Sequence, residues 1–290
     1  MLSRYPNTKF NDDGISLSSS SLVSFLTGCK KAIIGLEVID DVVLSQLPDL
    51  KTVSKYGVGL DSLDLEALQN RGIKLGWKKG VNSRSVSELV LSLAILLLRK
   101  GAEANNEVKN GIWKQRIGNT LTGKTVGILG CGSIGQDLVS LLAPFRCRIN
   151  AHDINEYSDF YSAYDVEAVS LIDLLRGSDV VTVHLPLDHS TQHLLCAETL
   201  AQIRFGAVLI NAARGGIVDE LALKKLLITG QISAAAFDVF EIEPPEDSEL
   251  LSLPNFFITP HIGGSAIEAV LAMGEAAIDG LDNAVDPLSF

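Results

Sequence analysis

Three segments in the last third of the chain each place a chemically active side chain soon after an apolar run. The apolar runs cover residues 208–210, 234–237 and 256–258. In a parallel sheet the carboxyl ends of the strands lie at one edge, and ligands of such sheets bind at that edge. We therefore expect four side chains to converge there: Arg214, Asp238, Glu243 and His261.

These residue types suit the oxidation of a 2-hydroxy acid to a 2-oxo acid. Histidine titrates closest to neutrality and can act as a general base. A neighbouring carboxylate favours the protonated imidazole and fixes its tautomer, and arginine binds a carboxylate through two parallel hydrogen bonds. Taken singly, Arg214 reads equally well as a surface cation, Glu243 as a loop charge and His261 as a turn residue. Their placement after three consecutive strands favours the catalytic interpretation.

A glycine motif further upstream indicates the hydride acceptor that this reaction needs. Residues 130–135 read Gly-Cys-Gly-Ser-Ile-Gly, between an apolar strand at 125–129 and a helix. The first glycine makes the turn, the second lets the backbone approach a pyrophosphate, and the third allows helix and strand to pack closely. The cofactor-binding residues predicted from this pattern are Gly130, Gly132, Ser133, Ile134 and Gly135.

An acidic residue after the next strand indicates which dinucleotide binds. Asp153 lies 18 residues after Gly135, close to the ~20 expected of an acid that binds a ribose 2′-hydroxyl. No arginine follows Asp153 closely, and its carboxylate would repel a 2′-phosphate. We therefore expect NAD rather than NADP. The alternative for the whole motif is a glycine-rich turn in an α/β protein that binds no dinucleotide.

The surrounding pattern predicts the elements that position these residues. Further strands are predicted at residues 148–151 and 180–183, with helices between most strands, so the fold is a doubly wound parallel α/β sheet. Upstream, strands at 32–36, 51–54 and 73–75 alternate with helices at 40–47 and 63–70, which indicates parallel βαβ units. Ser85 and Glu88 have the spacing of a capping box, predicting that an apolar helix begins there and runs to about Lys100.

Composition and charge limit the classes of partner. The 290 residues carry a net charge of −11, with 47% hydrophobic and 20% charged residues. This acidity argues against nonspecific binding to nucleic acid or to an anionic membrane surface. The most apolar stretch is ten residues long, at 89–98, whereas a membrane span needs about 20. Four cysteines without paired spacing, and no apolar leader behind Met1, lead us to expect no metal and a reducing, cytoplasmic setting.

These motifs resemble those of the D-isomer-specific 2-hydroxyacid dehydrogenases, which include phosphoglycerate dehydrogenase and glyoxylate reductase. The resemblance covers about residues 51–269 and is strongest at 184–187, 211–215, 238–244 and 259–261. It implies that Arg214 binds the substrate carboxylate, that His261 exchanges the proton, and that Glu243 pairs with His261. It also implies cofactor contacts, with Asp238 on the nicotinamide carboxamide and Pro186 beside the adenine. The remaining contacts it implies are at His184, Ala212, Arg214, His261 and Gly263.

The resemblance further implies two domains and a homodimer. The NAD-binding Rossmann domain would cover residues 83–264, and a smaller, flavodoxin-like α/β substrate domain would cover 1–82 and 265–290. In the substrate domain, the loop at 56–61 would hold the substrate carboxylate through backbone amides, including those of Val58 and Gly59. The family dimerises through the helix that here follows Ser85, and we expect that helix to be apolar nearly all round.

Three lysines depart from the family pattern or carry it further. Lys55 stands where phosphoglycerate dehydrogenases often have a basic residue, and Lys78 and Lys79 replace part of an Asn-Ala-Pro-like loop. One hypothesis is that these lysines bind a second anionic group of the substrate, such as a phosphate or a distal carboxylate. The alternative is that they are solvated surface lysines.

Two expectations concern the chain as a whole. Residues 2–6 resemble the tail of a helix, so a first strand and most of a helix would be missing, and a chain extended upstream would be more stable or more active. For function, an NAD-dependent dehydrogenase acting on a small 2-hydroxy acid is the first hypothesis. A non-catalytic, NAD-sensing protein of the corepressor type is the second, and a formate or phosphite dehydrogenase is the third.

Overall fold

The chain divides into two units in this computed structural model, which describes residues 4–289. One unit comprises Met1–Asn82 and Ile267–Phe290, and the other comprises Ser83–Ala266. The predicted helix tail at residues 2–6 lies partly outside the described residues. Residues 4–6, which are described, are not helical.

The smaller unit contains a three-stranded parallel sheet in the order β1-β2-β3. Its first elements are α1 (Ser19–Leu26), β1 (Lys31–Ile34), α2 (Asp41–Ser45), β2 (Thr52–Lys55), α3 (Leu65–Asn70) and β3 (Lys74–Gly76). The side chains of Asp40 and Asp64 accept hydrogen bonds from Val43 N and Ala67 N, which caps α2 and α3. These caps fix where each helix begins, and the predicted alternation of strands and helices is confirmed.

The larger unit is built on a seven-stranded parallel sheet in the order β10-β9-β8-β7-β4-β5-β6. Its elements are α4 (Ser83–Leu98), α5 (Gly101–Lys109), β4 (Thr125–Leu129), α6 (Ser133–Leu142), a 3-10 turn (Ala143–Phe145), β5 (Arg148–His152), α7 (Ser158–Tyr164), β6 (Val166–Ala168), α8 (Leu171–Gly177), β7 (Val180–Val183), α9 (Ala197–Leu200), β8 (Ala207–Asn211), α10 (Glu220–Thr229), β9 (Ile232–Phe237), α11 (Ser248–Ser252) and β10 (Phe256–Ile258). The doubly wound parallel sheet is therefore confirmed.

The burial of the central strands is that of a parallel sheet covered by helices on both faces. Every residue of β4, β7 and β8 is buried, as expected of strands with helices on both sides. Two hydrophobic clusters form, one containing α4 and α6 and the other containing α8 and α10. The three-residue strand β6 was not predicted, since a short strand with one buried residue has no clear sequence signal.

Helix α4 differs from the prediction at its start and on its surface. It begins at Ser83, so Ser85 lies inside the helix and is not its N-cap. Nor is the helix apolar nearly all round, because one stripe of it is exposed and mostly polar. That stripe consists of Arg84, Glu88, Ser92 and Ile95.

The chain returns to the smaller unit through α12 (Ile267–Gly280). This helix lies very close to the sheet, because a Cβ on Gly76 would be 2.3 Å from the carbonyl oxygen of Gly280. Ser54 Oγ donates a hydrogen bond to the carbonyl oxygen of Ala277 at 2.7 Å. Small residues thus let the last helix pack directly on β2 and β3.

Candidate active site

The glycine loop lies where the strand order of the larger sheet reverses, between β4 and β7. Gly130 has a φ of 91°, and a Cβ there would lie 2.7 Å from the carbonyl oxygen of His184. A Cβ on Gly135 would lie 2.4 Å from the carbonyl oxygen of Gly130. Both positions therefore need glycine for close approach, one for the turn and one for helix packing.

Gly132 differs from Gly130 and Gly135 because the space beside its Cα is free. That space decides whether the loop can accommodate a dinucleotide. Within residues 4–289, no atom other than those of its chain neighbours and its own helix turn lies within 4 Å of a Cβ built on Gly132. Gly132 is also the N-cap of α6, and as a glycine it provides no side-chain hydrogen bond to the start of that helix. Open space in front of a helix N-terminus suits a pyrophosphate. The residues present therefore fit the group that the motif predicts, with Ser133 and Ile134 as the first residues of the helix.

Asp153 follows β5 beside this loop. Its Oδ2 accepts a hydrogen bond from Cys131 N at 2.7 Å, and its Oδ1 accepts one from Asn155 N at 2.8 Å. The carboxylate is thereby fixed next to the first two glycines. Burial raises the pKa of the Cys131 thiol to about 11, so Cys131 stays protonated and acts as a small packing residue.

His184 follows β7 across from Gly130. Its Nε2 is 3.0 Å from Thr182 Oγ1, whereas its Nδ1 is buried without a hydrogen-bond partner among residues 4–289. Burial lowers the pKa of His184 to about 4, so the ring is neutral at physiological pH. A neutral ring suits packing against a cofactor rather than proton transfer. Pro186, two residues further on, is exposed.

His261 and Glu243 form the predicted pair. His261 Nδ1 is 2.9 Å from Glu243 Oε2, and Glu243 Oε1 accepts a hydrogen bond from Phe240 N at 3.0 Å. The carboxylate is thus held between the imidazole and its own loop. This arrangement fixes Nδ1 as the nitrogen facing Glu243 and leaves Nε2 as the nitrogen that can exchange a proton with a substrate.

Asp238 is buried, with an exposed fraction of 2%, and organises the loop that carries His261. Its Oδ1 accepts hydrogen bonds from Thr259 Oγ1 at 2.6 Å and Ile262 N at 2.8 Å, and its Oδ2 accepts one from Gly263 N at 2.7 Å. His261 itself has a φ of 55°, which non-glycine residues seldom adopt. The hydrogen bonds of Asp238 therefore hold His261 in an uncommon backbone conformation.

Ser85 holds the same loop from the side of α4. Its Oγ donates to the carbonyl oxygen of Gly263 at 2.6 Å and accepts from Ala266 N at 3.3 Å. The residue expected to begin the helix thus connects it to the segment after His261. Sequence patterns carry no signal for this contact or for the loop-holding role of Asp238, because both join residues that are distant along the chain.

Arg214 follows β8 at the same edge of the sheet. The buried side chain of Asn211 shapes this turn, since its Nδ2 donates to the carbonyl oxygen of Arg214 at 2.9 Å and its Oδ1 accepts from Ala213 N at 3.1 Å. Arg214 Nη1 donates to the carbonyl oxygen of Ala213 at 2.7 Å. Ala212, which lies between them in sequence, is buried.

A cavity of about 320 Å³ opens beside the His261–Glu243 pair. Most of its wall is apolar. Its lining residues are Asp238, Phe240, Glu243, Pro244, Pro245, Ile258, Thr259, Pro260 and His261. Asp238, Glu243 and His261 thus line one cavity, whereas Arg214 is not in its lining and follows β8 at the same carboxyl edge, which also carries the glycine loop.

The three lysines of the smaller unit have two different environments. Lys55 ends β2 with an exposed fraction of 6%, and its ammonium donates a hydrogen bond to the carbonyl oxygen of Gly35. Lys78 and Lys79 are exposed and line a groove of about 570 Å³ that also contains Glu275 and Asp279. A groove with both signs of charge is less selective for anions than lysines alone would be.

The predicted carboxylate-binding loop of the smaller unit follows β2. Val58 and Gly59 are half-buried, and the carbonyl oxygen of Val58 accepts a hydrogen bond from Trp77 Nε1 at 3.1 Å.

Within residues 4–289, no helix is long and apolar enough to cross a membrane. The same residues contain no group of three or more His, Cys, Asp or Glu side chains arranged to hold a metal ion.

Comparison with known proteins defines the family. Residues 91–263 match the D-isomer specific 2-hydroxyacid dehydrogenase, NAD binding domain. The chain is 38% identical to a hydroxypyruvate reductase of Thermotoga maritima over 78% of this chain and 74% of that protein. It is also 38% identical to a D-3-phosphoglycerate dehydrogenase of Methanocaldococcus jannaschii, over 83% of this chain but only 46% of that longer protein.

A solved structure gives the same result for the fold. A proposed D-isomer specific 2-hydroxyacid dehydrogenase from Polaromonas superposes with a TM-score of 0.89 at 30% identity, covering 98% of this chain and 94% of that one. The chain therefore belongs to the NAD-dependent D-isomer-specific 2-hydroxyacid dehydrogenase family. The resemblance inferred from the motifs is confirmed.

Proposed function

We propose that the protein interconverts a small 2-hydroxy acid and the corresponding 2-oxo acid, with NAD as the redox cofactor. One observation carries this proposal: the His261–Glu243 pair, at 2.9 Å, lies at the same edge of one sheet as a glycine loop with open space at Gly132. The larger unit would bind NAD, and the smaller one would supply substrate contacts.

The roles of the residues follow from their chemistry. A bound nicotinamide supplies the hydride for reduction of the 2-oxo acid or accepts it in the reverse direction. His261 Nε2 gives a proton to the carbonyl oxygen during reduction and takes it back during oxidation, while Glu243 stabilises the charged imidazole. Arg214 binds the carboxylate and polarises the carbonyl. Backbone amides of Val58 and Gly59 complete the carboxylate contacts.

Asp153 supports NAD over NADP. Its carboxylate is fixed by Cys131 N and Asn155 N beside the glycine loop, and a charge held there would repel a 2′-phosphate. In the same proposal, His184, Pro186, Ala212 and Gly263 line the cofactor. Asp238 would accept a hydrogen bond from the nicotinamide carboxamide through the remaining capacity of Oδ2.

We also propose a homodimer, formed through the surface on and just after α5 and not through α4. The exposed stripe of α4 is mostly polar, whereas large apolar side chains are exposed on α5 and just after it. Trp113 is 88% exposed and Ile117 is 91% exposed, and Val108 and Ile112 are each about half exposed. A second copy of the chain would cover this surface. Trp113→Glu should therefore shift the protein from dimer to monomer in sedimentation experiments. A wild-type protein that sediments as a monomer would contradict the proposal.

The substrate class is open to a direct test. Purified protein should oxidise NADH with glyoxylate, hydroxypyruvate or phosphohydroxypyruvate, followed at the nicotinamide absorbance. If Lys55, Lys78 or Lys79 binds a second anionic group, its change to Ala should raise KM for the phosphorylated substrate selectively. The buried ammonium of Lys55 and the mixed charge around Lys78 and Lys79 favour compact, unphosphorylated substrates.

His261→Ala tests the proposed chemistry itself. It should reduce turnover at least about 100-fold, the scale of general acid–base catalysis, and should leave NADH binding intact. His189→Ala, which changes an exposed histidine of the same unit, serves as the control. NADH binding without turnover of any 2-oxo acid by the wild type would favour the NAD-sensing alternative.

A further inference from the structure

The peptide between Phe240 and Glu241 leads directly to the carboxylate that pairs with His261. On one side this peptide lies against Gly215, where a Cβ would be 2.0 Å from the carbonyl carbon of Phe240 and 2.3 Å from Glu241 N. The ring of Phe240 packs among those of Phe237 and Phe256, with centroid distances of 6.0 and 6.2 Å. Packing alone therefore fixes the apolar side of this peptide.

Glu220 holds the polar side of the same peptide. It is the first residue of α10, and its Oε1 accepts a hydrogen bond from Glu241 N at 2.9 Å. The start of α10 is itself fixed, because the N-cap Asp219 accepts a hydrogen bond from Ala222 N at 2.9 Å. Glu220 thus connects a rigid helix start to the turn that ends at Glu243.

The surroundings of Glu220 are unfavourable for a carboxylate. Burial raises the pKa of Glu220, and the nearby carboxylates of Glu241, Asp247 and Asp219 raise it further, while the hydrogen bond from Glu241 N lowers it. Two cationic or titratable side chains also lie among these carboxylates: His193 Nε2 is 3.7 Å from Glu241 Oε2, and Lys224 Nζ is 2.8 Å from Asp247 Oδ2. Because its pKa is raised, ionisation of Glu220 as pH rises to neutrality lowers the free energy of unfolding.

We infer that Glu220 is a positioning residue for the proton-transfer pair. It fixes the Phe240–Glu241 peptide from its polar side, which sets the position of Glu243 and, through Glu243, the orientation of the His261 imidazole. This inference rests on the proposed function for its catalytic meaning. Its structural content, the coupling of Glu220 to His261, stands on the hydrogen bonds alone.

Three variants separate positioning from fold support. Glu220→Ala removes the acceptor, Glu220→Gln keeps an amide oxygen that can accept from Glu241 N, and Glu249→Ala removes another acid from the first turn of a helix in the same unit. Glu220→Ala should lower kcat about 10-fold, because small displacements of reacting groups are costly, with KM for NADH unchanged. Glu220→Gln should recover kcat to within about 2-fold of wild type, and it should be at least as stable at pH 7.

The nitrogen resonances of the His261 ring provide a readout that does not need turnover. In two-bond proton–nitrogen spectra, the hydrogen-bonded signature of His261 Nδ1 should be perturbed in Glu220→Ala and restored in Glu220→Gln, with Glu249→Ala like wild type. Unchanged His261 signals and kcat in a folded Glu220→Ala protein would overturn the inference. Inactive wild-type protein would contradict the proposed function instead, and the spectra would still decide whether Glu220 positions His261.

Discussion

The glycine loop and the loops around His261 lie at one edge of one sheet, yet they are built in opposite ways. Around Gly132 the structure leaves room, since in the described part of the chain no atom outside the local turn lies within 4 Å of the point where a Cβ on this residue would stand. Around His261 and Glu243 the backbone is held by side chains from other elements, namely Ser85, Glu220 and Asp238. One region provides space for a ligand, and the other provides fixed orientation for a proton transfer.

This difference determines how each region should respond to change. A region that works by open space is sensitive to added volume but loses little fold stability when a small group is added. A region that works by fixed orientation is sensitive to the loss of hydrogen bonds and to displacement of its backbone. Substitutions in the first should therefore act on cofactor binding, and substitutions in the second on kcat.

Gly215→Ala should have the largest effect. The new Cβ would lie 2.0 Å from the carbonyl carbon and oxygen of Phe240, so the peptide leading to Glu243 must move. We expect kcat to fall about 100-fold or more, with stability reduced by about 1–3 kcal/mol for the overpacking. Steady-state kinetics and thermal melts would measure both. A folded variant with wild-type kcat would show that the position of this peptide does not matter.

Gly132→Ala is the matched change in the other region. Among the described residues, its Cβ meets no atom beyond its own chain neighbours within 4 Å, so the melting temperature should stay close to that of wild type. The added methyl occupies the space proposed for the pyrophosphate, and the Kd for NADH should rise about 30-fold. Fluorescence titration of NADH would measure this change. Unaltered NADH affinity would place the cofactor elsewhere and remove the contrast between the two loops.

The two regions also differ in how far the sequence predicts them. The strand, the glycine turn and the helix start of the glycine loop were predictable because they all lie within about twenty consecutive residues. The meeting of Glu243 and His261 was also predictable, because strand ends in a parallel sheet share an edge. Local pattern and sheet topology were sufficient for both.

The supports of the catalytic loops could not be predicted in this way. Ser85 has the spacing of a capping residue, but its hydroxyl bonds to Gly263, 178 residues later, and the helix begins at Ser83. Whether a serine caps a helix or holds a distant loop depends on tertiary packing, which local spacing does not contain. The prediction that α4 is apolar nearly all round was wrong for the same reason. Which of its faces is exposed depends on how the helix packs in the assembled core.

Asp238→Asn tests the hydrogen bonds that hold the His261 loop. The amide oxygen can still accept from Thr259 and Ile262, but the amide nitrogen would face Gly263 N, so that two donors would meet in a buried site. We expect kcat to fall about 10-fold and stability by about 2 kcal/mol. The control is Asp179→Asn. Asp179 lies just before β7, and its carboxylate accepts a hydrogen bond from Thr125 N. Wild-type kcat in Asp238→Asn would assign the carboxylate no role in positioning His261.

Asp153 allows the charge and the hydrogen bond of the cofactor region to be separated. Asp153→Asn keeps an acceptor for Cys131 N or Asn155 N and removes the negative charge. The ratio of kcat/KM for NAD over NADP should fall about 5-fold, the scale of about 1 kcal/mol of charge repulsion at a protein surface. Asp153→Ala should lower the ratio similarly and weaken both cofactors. An unchanged ratio in both variants would contradict the assignment of NAD specificity to Asp153.

Ser85→Ala should have the smallest effect and gives the sharpest measure of the contrast. It removes the hydrogen bonds to Gly263 O and Ala266 N, and it should cost about 1 kcal/mol of stability and lower kcat about 2-fold. Ser92→Ala is a matched control, because Ser92 is exposed on the same helix and its hydroxyl donates to Leu89 O within that helix. Since Ser85 contacts the segment after His261 and not the glycine loop, the Kd for NADH should change less than kcat does. A loss of NADH affinity without a loss of kcat would mean that the glycine loop and the His261 loop are structurally coupled. It would contradict the view that one region provides space and the other provides orientation.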